Sequence, residues 1–265
     1  GFSYGAFWTN KTAKYKADFA RQFNLAKSLQ TSVSLNSARL FTCVQWNTKD
    51  DPIQAFEAAI DTDTTLLLGL YNIGDDTIFA NEVSALEKGL QQHGQKLANL
   101  IVGISVGNED IYRNSSECKS GDSSGQNCLW SASADVVTAK VNLIRSEFQS
   151  GAPFANYFNT IPPIGHTDVA QRAGEVEGVD FAGTTIYPFH AAKGVANAKG
   201  DFLGAYDMVK ANAGGLEVWV TETGWPVAGD TKGQSIPGVE YLQTYWKDVG
   251  CSIFGTYNVW WFELE

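Results

Sequence analysis

The sequence predicts a single (β/α)8 barrel, the α/β fold in which eight parallel strands alternate with helices. Short apolar segments alternate with amphipathic stretches along all 265 residues, and no low-complexity linker divides them. Several segments, such as residues 65–71, are continuously apolar, as in parallel strands that are buried on both faces. The length is also close to the roughly 250 residues of a typical barrel. We therefore predict one domain over residues 1–265.

An open, doubly wound sheet is the alternative fold. It would more often carry a dinucleotide-binding loop with the pattern G-x-G-x-x-G after its first strand. The segment GFSYGAFWTN at the start of this chain lacks that pattern. The closed barrel is therefore the fold that we favour.

The individual elements follow from apolar runs and from helical periodicity. The first helix, at residues 16–29, carries a stripe of apolar side chains at spacings of three and four. Pro52 begins the second helix, at a first-turn position that proline tolerates. Strands are predicted at residues 2–7, 38–42, 65–71, 100–106, 154–159, 179–187, 216–221 and 253–262. Further helices are predicted at residues 76–97, 131–149, 167–175, 201–213 and 237–249. The sequence stops just after the eighth strand, so we expect the eighth helix to be missing or truncated.

Charge and composition exclude several classes of partner. The chain has 29 acidic and 19 basic residues, and this net charge of −10 argues against binding to nucleic acid or to an anionic membrane surface. No run of 18 apolar residues exists that would span a membrane. With 3 His and 4 Cys, the chain has few residues for a metal site. We expect a monomer that needs no metal and no cofactor.

The cysteines bear on the compartment. Cys118 and Cys128 bracket a polar loop, where a disulfide would form in an oxidising environment. Cys43 and Cys251 either pair with each other or stay as free thiols. The chain begins at Gly1, as a processed protein would, and it contains two glycosylation acceptor patterns, NKT and NSS. These features favour a secreted or cell-wall location.

Two acidic residues follow predicted strands directly. Glu109 comes after the fourth strand, and Glu222 ends the seventh, just before a Gly-Trp-Pro turn. Residues at the carboxyl ends of barrel strands line the active site. Two carboxyl groups that face each other there can hydrolyse a glycosidic bond, because one protonates the leaving oxygen and the other attacks the anomeric carbon or activates water. Burying a charged carboxyl group so near the core is costly unless the group is paired or takes part in catalysis or binding.

A competing motif lies in the fourth strand. Residues 103–107 (GISVG) match the G-x-S-x-G pattern of serine esterases. That pattern requires Ser105 at a sharp turn between a strand and a helix, but Ser105 lies inside an apolar run. The triad order also requires a late histidine, and the last one is His190. An esterase is therefore the least favoured reading.

Other strand ends carry side chains that suit sugars. Arg39 lies in the second strand, Tyr71 ends the third and Tyr187 ends the sixth. Tyr and Trp combine an apolar face with a polar edge, as sugar stacking requires, although about half of these aromatic residues are expected to pack in the core. Alternation along the eighth strand directs either Trp260 or Trp261 into the barrel, but not both.

These motifs together resemble glycoside hydrolase family 17, whose members are (β/α)8 barrels active on β-1,3-glucan. The resemblance runs almost end to end, through the segments GFSYGAF, SARLF, SVGNED, TTIYPF, WVTETGWP and VWWFELE. The GNE and TETGWP motifs are specific as a pair, since each supplies one carboxylate on its own strand. The details look more fungal than plant, as in SVGNEDIYR.

The resemblance implies a role for each matching residue. Glu109 would be the general acid/base and Glu222 the nucleophile of a retaining mechanism, with the carboxyl groups ~5–5.5 Å apart. Residue by residue, the resemblance implies that Asn108 binds the sugar 2-hydroxyl and that Arg39 and Tyr187 lie beside the nucleophile, while Trp225, Trp261 and Glu263 would help to shape the sugar subsites. Tyr71 joins this predicted binding set because of its position at the end of the third strand.

The resemblance also implies the activity of the single catalytic domain. It would be an endo-β-1,3-glucanase, a β-1,3-glucanosyltransferase or both, in the remodelling of cell-wall glucan. Hydrolysis follows if water reaches the covalent intermediate, and transfer follows if a sugar hydroxyl reaches it. A non-catalytic β-glucan-binding barrel is the alternative, but the intact pair of glutamates argues against it.

Overall fold

Parallel strands and surrounding helices form a closed barrel in the computed structural model, which describes residues 1–72, 74–121, 124 and 126–265. Within these residues each strand pairs with the next in sequence, and the eighth pairs with the first. The predicted (β/α)8 fold is thereby confirmed. The strands are β1 (Phe2–Tyr4), β2 (Ser37–Leu40), β3 (Thr65–Leu70), β4 (Ile101–Asn108), β5 (Ile164–Val169), β6 (Phe181–Thr185), β7 (Glu217–Thr223) and β8 (Asn258–Trp261).

The helices cover the outside of the barrel. They are α1 (Lys16–Ser28), α2 (Ala55–Thr62), α3 (Asp76–His93), α4 (Gln95–Ala98), α5 (Asp110–Asn114), α6 (Ser116–Gly121), α7 (Ala134–Ser146), α8 (Ala198–Asn212), α9 (Val239–Tyr245) and α10 (Cys251–Ile253). The stripe predicted for α1 is buried at Phe19, Phe23 and Ala26. The last helical region runs from α9 through a π-helical turn at Trp246–Gly250 into α10. Phe262–Glu265 follow β8 without a further helix.

The fifth strand is the main error of the sequence prediction. Residues 154–159 form turns whose aromatic side chains pack with Phe148. Strand β5 lies further on, in the segment IGHTDV, where a helix was expected from residue 167. Apolar periodicity failed there because β5 is buried with polar side chains. The helix predicted at residues 167–175 is wrong as well, since turns follow β5.

The lower interior of the barrel, toward the amino ends of the strands, is filled by aromatic side chains. Phe181 and Trp219 stack with their ring centroids 4.0 Å apart, and Trp260 contacts Trp219 from β8. Glycines on the facing strands leave the room for these rings: a Cβ on Gly103 would lie 2.7 Å from Trp219, and one on Gly165 would lie 2.6 Å from Phe181. The aromatic layer therefore closes the barrel below the site.

The upper interior is polar. Two residues above the glycines, Ser105 and Thr167 face each other across β4 and β5 with their hydroxyl oxygens 2.9 Å apart. The Ser3 hydroxyl donates to the carbonyl of Thr221, and the Arg39 side chain rises beside it from β2. This change from aromatic to polar side chains marks the carboxyl ends of the strands as the functional end of the barrel.

The disulfide between Cys118 and Cys128 is present, with the two Cα atoms 6.0 Å apart. It joins α6 to the segment before α7, as the polar loop predicted. Residues 122, 123 and 125 of that loop lie outside the described residues. All four cysteines are described, and the other two are free thiols: Cys43 is buried and Cys251 is exposed.

Candidate active site

Glu222 lies at the end of β7, between two hydrogen-bond donors. Arg39 Nη1 donates to Glu222 Oε1 at 2.7 Å, and the Tyr187 hydroxyl donates to Glu222 Oε2 at 2.6 Å. Arg39 is 1% exposed, so the ion pair is shielded from water. Each carboxylate oxygen has its own donor, and charge-assisted hydrogen bonds of this kind are short and strong. The side chain is therefore held in one orientation as an ionised carboxylate.

The phenol of Tyr187 stays protonated beside that carboxylate. Burial raises the pKa of Tyr187 well above its usual value, and the negative charge of Glu222 raises it further. Since the phenol keeps its proton, it keeps donating to Glu222. The nucleophile candidate thus has two hydrogen-bond donors, Arg39 and Tyr187, that both keep their protons at neutral pH.

Arg39 also connects Glu222 to β4. Its Nη2 donates to Asn108 Oδ1 at 2.6 Å, and its guanidinium lies 4.4 Å from the centre of the Phe41 ring. Because arginine only donates, the oxygen of the Asn108 amide must face Arg39, and the amide nitrogen faces away. That nitrogen is available to donate to a sugar hydroxyl.

Glu109 follows β4 and is held by two other contacts. The Thr185 hydroxyl donates to Glu109 Oε1 at 2.8 Å, and Arg113 Nη2 lies 3.5 Å from Glu109 Oε2. Burial raises the pKa of Glu109, and the negative charge of Glu222 raises it further. The two glutamates therefore differ in the way that general acid and nucleophile require: the pKa of Glu109 is raised, whereas Glu222 is paired with a buried guanidinium.

The backbone before Glu109 needs a glycine. Gly107 has a φ of 75°, which favours glycine, and a Cβ there would lie 2.0 Å from Asp110 Oδ2. Glu109 itself has a φ of 56°. In the GNE motif, the residues on both sides of Asn108 thus have positive φ values, and this backbone directs Asn108 and Glu109 into the site.

Replacing Gly107 with Ala is expected to lower the free energy of unfolding by about 3 kcal/mol, because backbone strain and overpacking add. Urea unfolding measures this change. The matched control is Gly200→Ala, at an exposed position of α8 with no atom near the added Cβ. That substitution is expected to stabilise the protein slightly, because alanine favours the helix. Equal effects of the two substitutions would contradict the strained role of Gly107.

A cavity of about 530 Å³ opens beside Glu109. Its walls come from the segment that the disulfide closes and from the loop after β7. Trp130 in this wall is 50% exposed, so its ring is available for contact. The lining residues are Glu109, Tyr112, Arg113, Cys118, Gly121, Gln126, Asn127, Cys128, Trp130 and Lys232.

Both tryptophans predicted as subsite residues are buried. Trp225 is 4% exposed and donates its indole N–H to the carbonyl of Ile236. Trp261 is 3% exposed and packs with Trp246 in the helical layer, while Trp260 is the one that enters the barrel. Their contact with sugar stays a prediction, which burial does not support.

Tyr71 and Glu263 each interact electrostatically with a charged residue of the site. Tyr71 follows β3 half-buried, and burial raises its pKa while the nearby charge of Arg113 lowers it. Glu263 follows β8, where burial raises its pKa and the charge of Glu222 raises it further. Both are within electrostatic range of the site, and their role in binding stays a prediction.

Sequence reasoning missed several residues of the site. Thr185 and Arg113 hold Glu109, and the Phe262 ring lies 6.5 Å from that of Tyr187 with more than a third of its surface exposed. The spacing of Arg113, four residues after Glu109, was a readable signal for an ion pair on a helix. Thr185 and Trp130 carried no signal of that kind.

The esterase reading is wrong. Ser105 is completely buried in the middle of β4, and its hydroxyl is hydrogen-bonded to that of Thr167. It is not at a turn between a strand and a helix. Among the described residues, no group of His, Cys, Asp and Glu is arranged to hold a metal ion. None of the described helices has the length and apolar character needed to cross a bilayer.

Known proteins resemble this chain over its whole length. It is 38% identical to the probable glucan endo-1,3-beta-glucosidase eglC of Aspergillus niger over 275 residues, which cover 100% of this chain and 57% of that protein. The eglC protein of Aspergillus fumigatus is also 38% identical, with 100% and 58% covered. The chain thus spans little more than half the length of these curated relatives.

Solved structures share the fold. The glycoside hydrolase family 17 beta-1,3-glucanosyltransferase from Rhizomucor miehei superposes with a TM-score of 0.76 at 21% identity, covering 99% of this chain and 86% of that one. An endo-laminarinase from Formosa gives a TM-score of 0.73 at 13% identity, with 99% and 77% covered. The model of the BtgE/BtgC glycoside hydrolase domain matches residues 1–265. The resemblance to fungal family 17 enzymes is thereby confirmed, and the chain belongs to the BtgE/BtgC glycoside hydrolase domain family.

Proposed function

We propose that this domain cleaves β-1,3-glucan with retention, through a covalent glycosyl-enzyme on Glu222. The observation that carries the proposal is the asymmetry of the two glutamates. Glu222 is an anion held by Arg39 and Tyr187, whereas Glu109 is buried with a raised pKa. The fungal relatives described as endo-1,3-beta-glucosidases support the choice of substrate.

The chemistry follows from these contacts. A Glu222 oxygen bonds to the anomeric carbon as the glycosidic bond breaks, and Glu109 gives its proton to the departing oxygen. Glu222 loses its negative charge when it forms this ester. Because that charge helped to raise the pKa of Glu109, its loss lowers this pKa, and Glu109 stays deprotonated and ready to accept the proton of the incoming hydroxyl. Attack by that hydroxyl breaks the ester and restores both residues.

The cavity beside Glu109 is proposed to hold the leaving group and then the acceptor. Glu109 must contact the oxygen that departs, so a cavity that it lines lies on the leaving-group side. Trp130 offers a ring for a sugar face, and Arg113 and Lys232 offer donors for hydroxyl groups. A bound acceptor would compete with water for the intermediate, so we propose glucanosyl transfer in addition to hydrolysis.

Product analysis tests the proposal. Incubation with laminarihexaose is expected to give products both shorter and longer than the substrate, and chromatography separates them. Longer products establish transfer, shorter products alone establish hydrolysis without transfer, and no turnover would contradict the enzyme assignment in favour of a binding barrel.

Replacing Trp130 with Ala is expected to lower the ratio of transfer to hydrolysis about five- to tenfold, since one aromatic contact is worth ~1 kcal/mol. The ratio is measured with laminaribiosyl fluoride as donor, because fluoride does not fill the cavity, and with laminaritriose as acceptor. Leu129→Ala is the matched control, since Leu129 is exposed next to Trp130 but does not line the cavity. An unchanged ratio in Trp130→Ala would place the acceptor elsewhere.

We further propose that the domain acts as a monomer outside the cell, at the cell wall. The disulfide between Cys118 and Cys128 suits an oxidising compartment. Asn10 and Asn114, the first residues of the two glycosylation patterns, are both exposed.

A further inference from the structure

A buried ion pair lies on the outer face of β5, behind Glu109. Gly165 and Thr167 face the barrel interior, so the alternation of the strand turns His166 and Asp168 outward, toward α5. His166 is 4% exposed, and Asp168 is fully buried. Ionisable side chains are costly at such a position unless they are paired. The proposed chemistry does not use either of them.

The contacts of the His166 ring define its charge. Nδ1 lies 2.6 Å from the carbonyl oxygen of Val106, and Nε2 lies 3.2 Å from Asp168 Oδ2. A carbonyl only accepts, and Asp168 Oδ2 also accepts the N–H of Ile111 at 3.0 Å, as an ionised carboxylate does. Protons on both ring nitrogens satisfy these two contacts, and this arrangement fits an imidazolium.

Other charges around the ring agree with this state. Burial alone lowers the pKa of His166, but the hydrogen bond to Asp168 and the negative charges of Asp110 and Asp168 outweigh burial and raise it. Asp110 faces the ring from α5, and burial raises its own pKa to about 6. Arg113 and Glu109 are the next charged groups on that side.

His166 fixes the backbone on the near side of Glu109. The pairing of β4 with β5 is interrupted between Ser105 and Asn108. The Val106 carbonyl lies in this bulge, and the His166 ring supplies its donor. The bulge leads directly into the two positive φ values at Gly107 and Glu109.

Asp168 fixes the backbone on the far side. Its Oδ2 accepts the N–H groups of Ile111 at 3.0 Å and Tyr112 at 3.4 Å, which belong to the first turn of α5. Between the two anchors, the N–H of Glu109 donates to the carbonyl of Thr167 at 2.8 Å. Backbone on both sides of Glu109 is thus held by one charged pair on the neighbouring strand.

We propose that His166 and Asp168 are the positioning residues of the general acid/base Glu109, a role that rests on the proposed function. The pair fixes the bulge before Glu109 and the helical turn after it, and so directs the carboxyl group toward the leaving oxygen. A displacement of a catalytic group by about 1 Å can cost 10²-fold in rate. Loss of the pair therefore impairs proton transfer before it impairs substrate binding.

The test separates proton transfer from binding. His166→Gln is expected to lower kcat on laminari-oligosaccharides at least tenfold with KM within threefold. On 2,4-dinitrophenyl laminaribioside, whose leaving group needs no protonation, the rate of glycosyl-enzyme formation should stay within threefold. His166→Asn, which retains a donor for Val106, should recover part of the loss. The matched control is His93→Gln on α3, which should leave every rate unchanged. Equal losses of glycosyl-enzyme formation on both substrates, or no loss on either, would overturn the proposal.

Two further measurements complete the test, and the first of them uses the unmodified protein. Nitrogen-15 NMR of the unmodified protein should show protons on both ring nitrogens of His166 at pH 7, and a neutral ring would overturn the proposal. In a Glu109→Ala background, His166→Gln should cause no further loss, whereas an additive loss would show that His166 acts independently of Glu109. If the unmodified enzyme turns over no laminari-oligosaccharide, the proposed function itself fails, and that result is distinct from these.

Discussion

Replacing Glu222 with Gln is expected to lower kcat on laminari-oligosaccharides by about 10⁴-fold or more, the scale on which loss of a nucleophile lowers turnover. An amide cannot form the glycosyl ester, and nothing else on β7 occupies its place. The contacts support a specific effect on chemistry, because Gln has the shape of Glu and can still accept from Arg39 Nη1. Initial rates with laminarihexaose measure the loss.

The same substitution should also destabilise the protein. It removes the charge that neutralises Arg39, which is buried, and breaking such a pair costs about 3 kcal/mol. Urea unfolding measures this cost and shows that the variant is folded in the assay. Glu57→Gln is the matched control, because Glu57 forms an ion pair with Lys16 at the surface and is remote from the site. Activity and stability should hardly change there.

Covalent trapping identifies the nucleophile directly. A 2-deoxy-2-fluoro-laminaribiosyl fluoride should transfer its glycosyl group to the nucleophile with loss of fluoride and accumulate as a glycosyl-enzyme, and mass spectrometry of the digested protein should place the label on the peptide with Glu222. A label on another peptide would contradict the assignment. With Glu222→Ala, azide can enter the vacated space and should yield a glycosyl azide of inverted configuration.

The sequence predicted the fold where burial produces apolar runs. Strand β3 is buried on both faces by aliphatic side chains, and its prediction was correct to within a residue. Strand β5 is buried as well, but its buried side chains are polar: Thr167 bonds to Ser105 of β4, and His166 bonds to Asp168. Because these side chains are buried through hydrogen bonds and not as an apolar run, apolar periodicity could not indicate the strand.

The sequence predicted the site residues that lie in specific motifs. It was less informative about residues whose role depends on how deeply their side chains are buried in the fold. The GNE and TETGWP segments placed Glu109 and Glu222 at the carboxyl ends of β4 and β7, which lie at the same end of the barrel. Alternation shows that Trp260 and Trp261 point to opposite faces of the strand, but it does not show which face is the barrel interior. The structure places Trp260 inside. Thr185 reaches Glu109 only through the pairing of distant segments.

Replacing Glu109 with Ala is expected to affect substrates differently according to their leaving group. On laminari-oligosaccharides kcat/KM should fall by 10²- to 10⁴-fold, the usual worth of a general acid. On 2,4-dinitrophenyl laminaribioside the formation of the glycosyl-enzyme should be nearly unchanged, because this leaving group departs without a proton. Its hydrolysis should then be slow, since Glu109 also activates the water. A burst of dinitrophenol followed by slow turnover measures both effects.

The pH profile gives an independent readout of the same residue. Burial and the charge of Glu222 raise the pKa of Glu109, so the protonated, active acid persists to higher pH than an ordinary glutamate would allow. In the unmodified enzyme kcat/KM on laminari-oligosaccharides should fall as pH rises through that raised pKa, and Glu109→Ala should lack this basic limb. Azide should accelerate turnover of the dinitrophenyl substrate by Glu109→Ala and yield a glycosyl azide of retained configuration, because it attacks the ester on Glu222. An inverted azide from this variant would exchange the roles of the two glutamates.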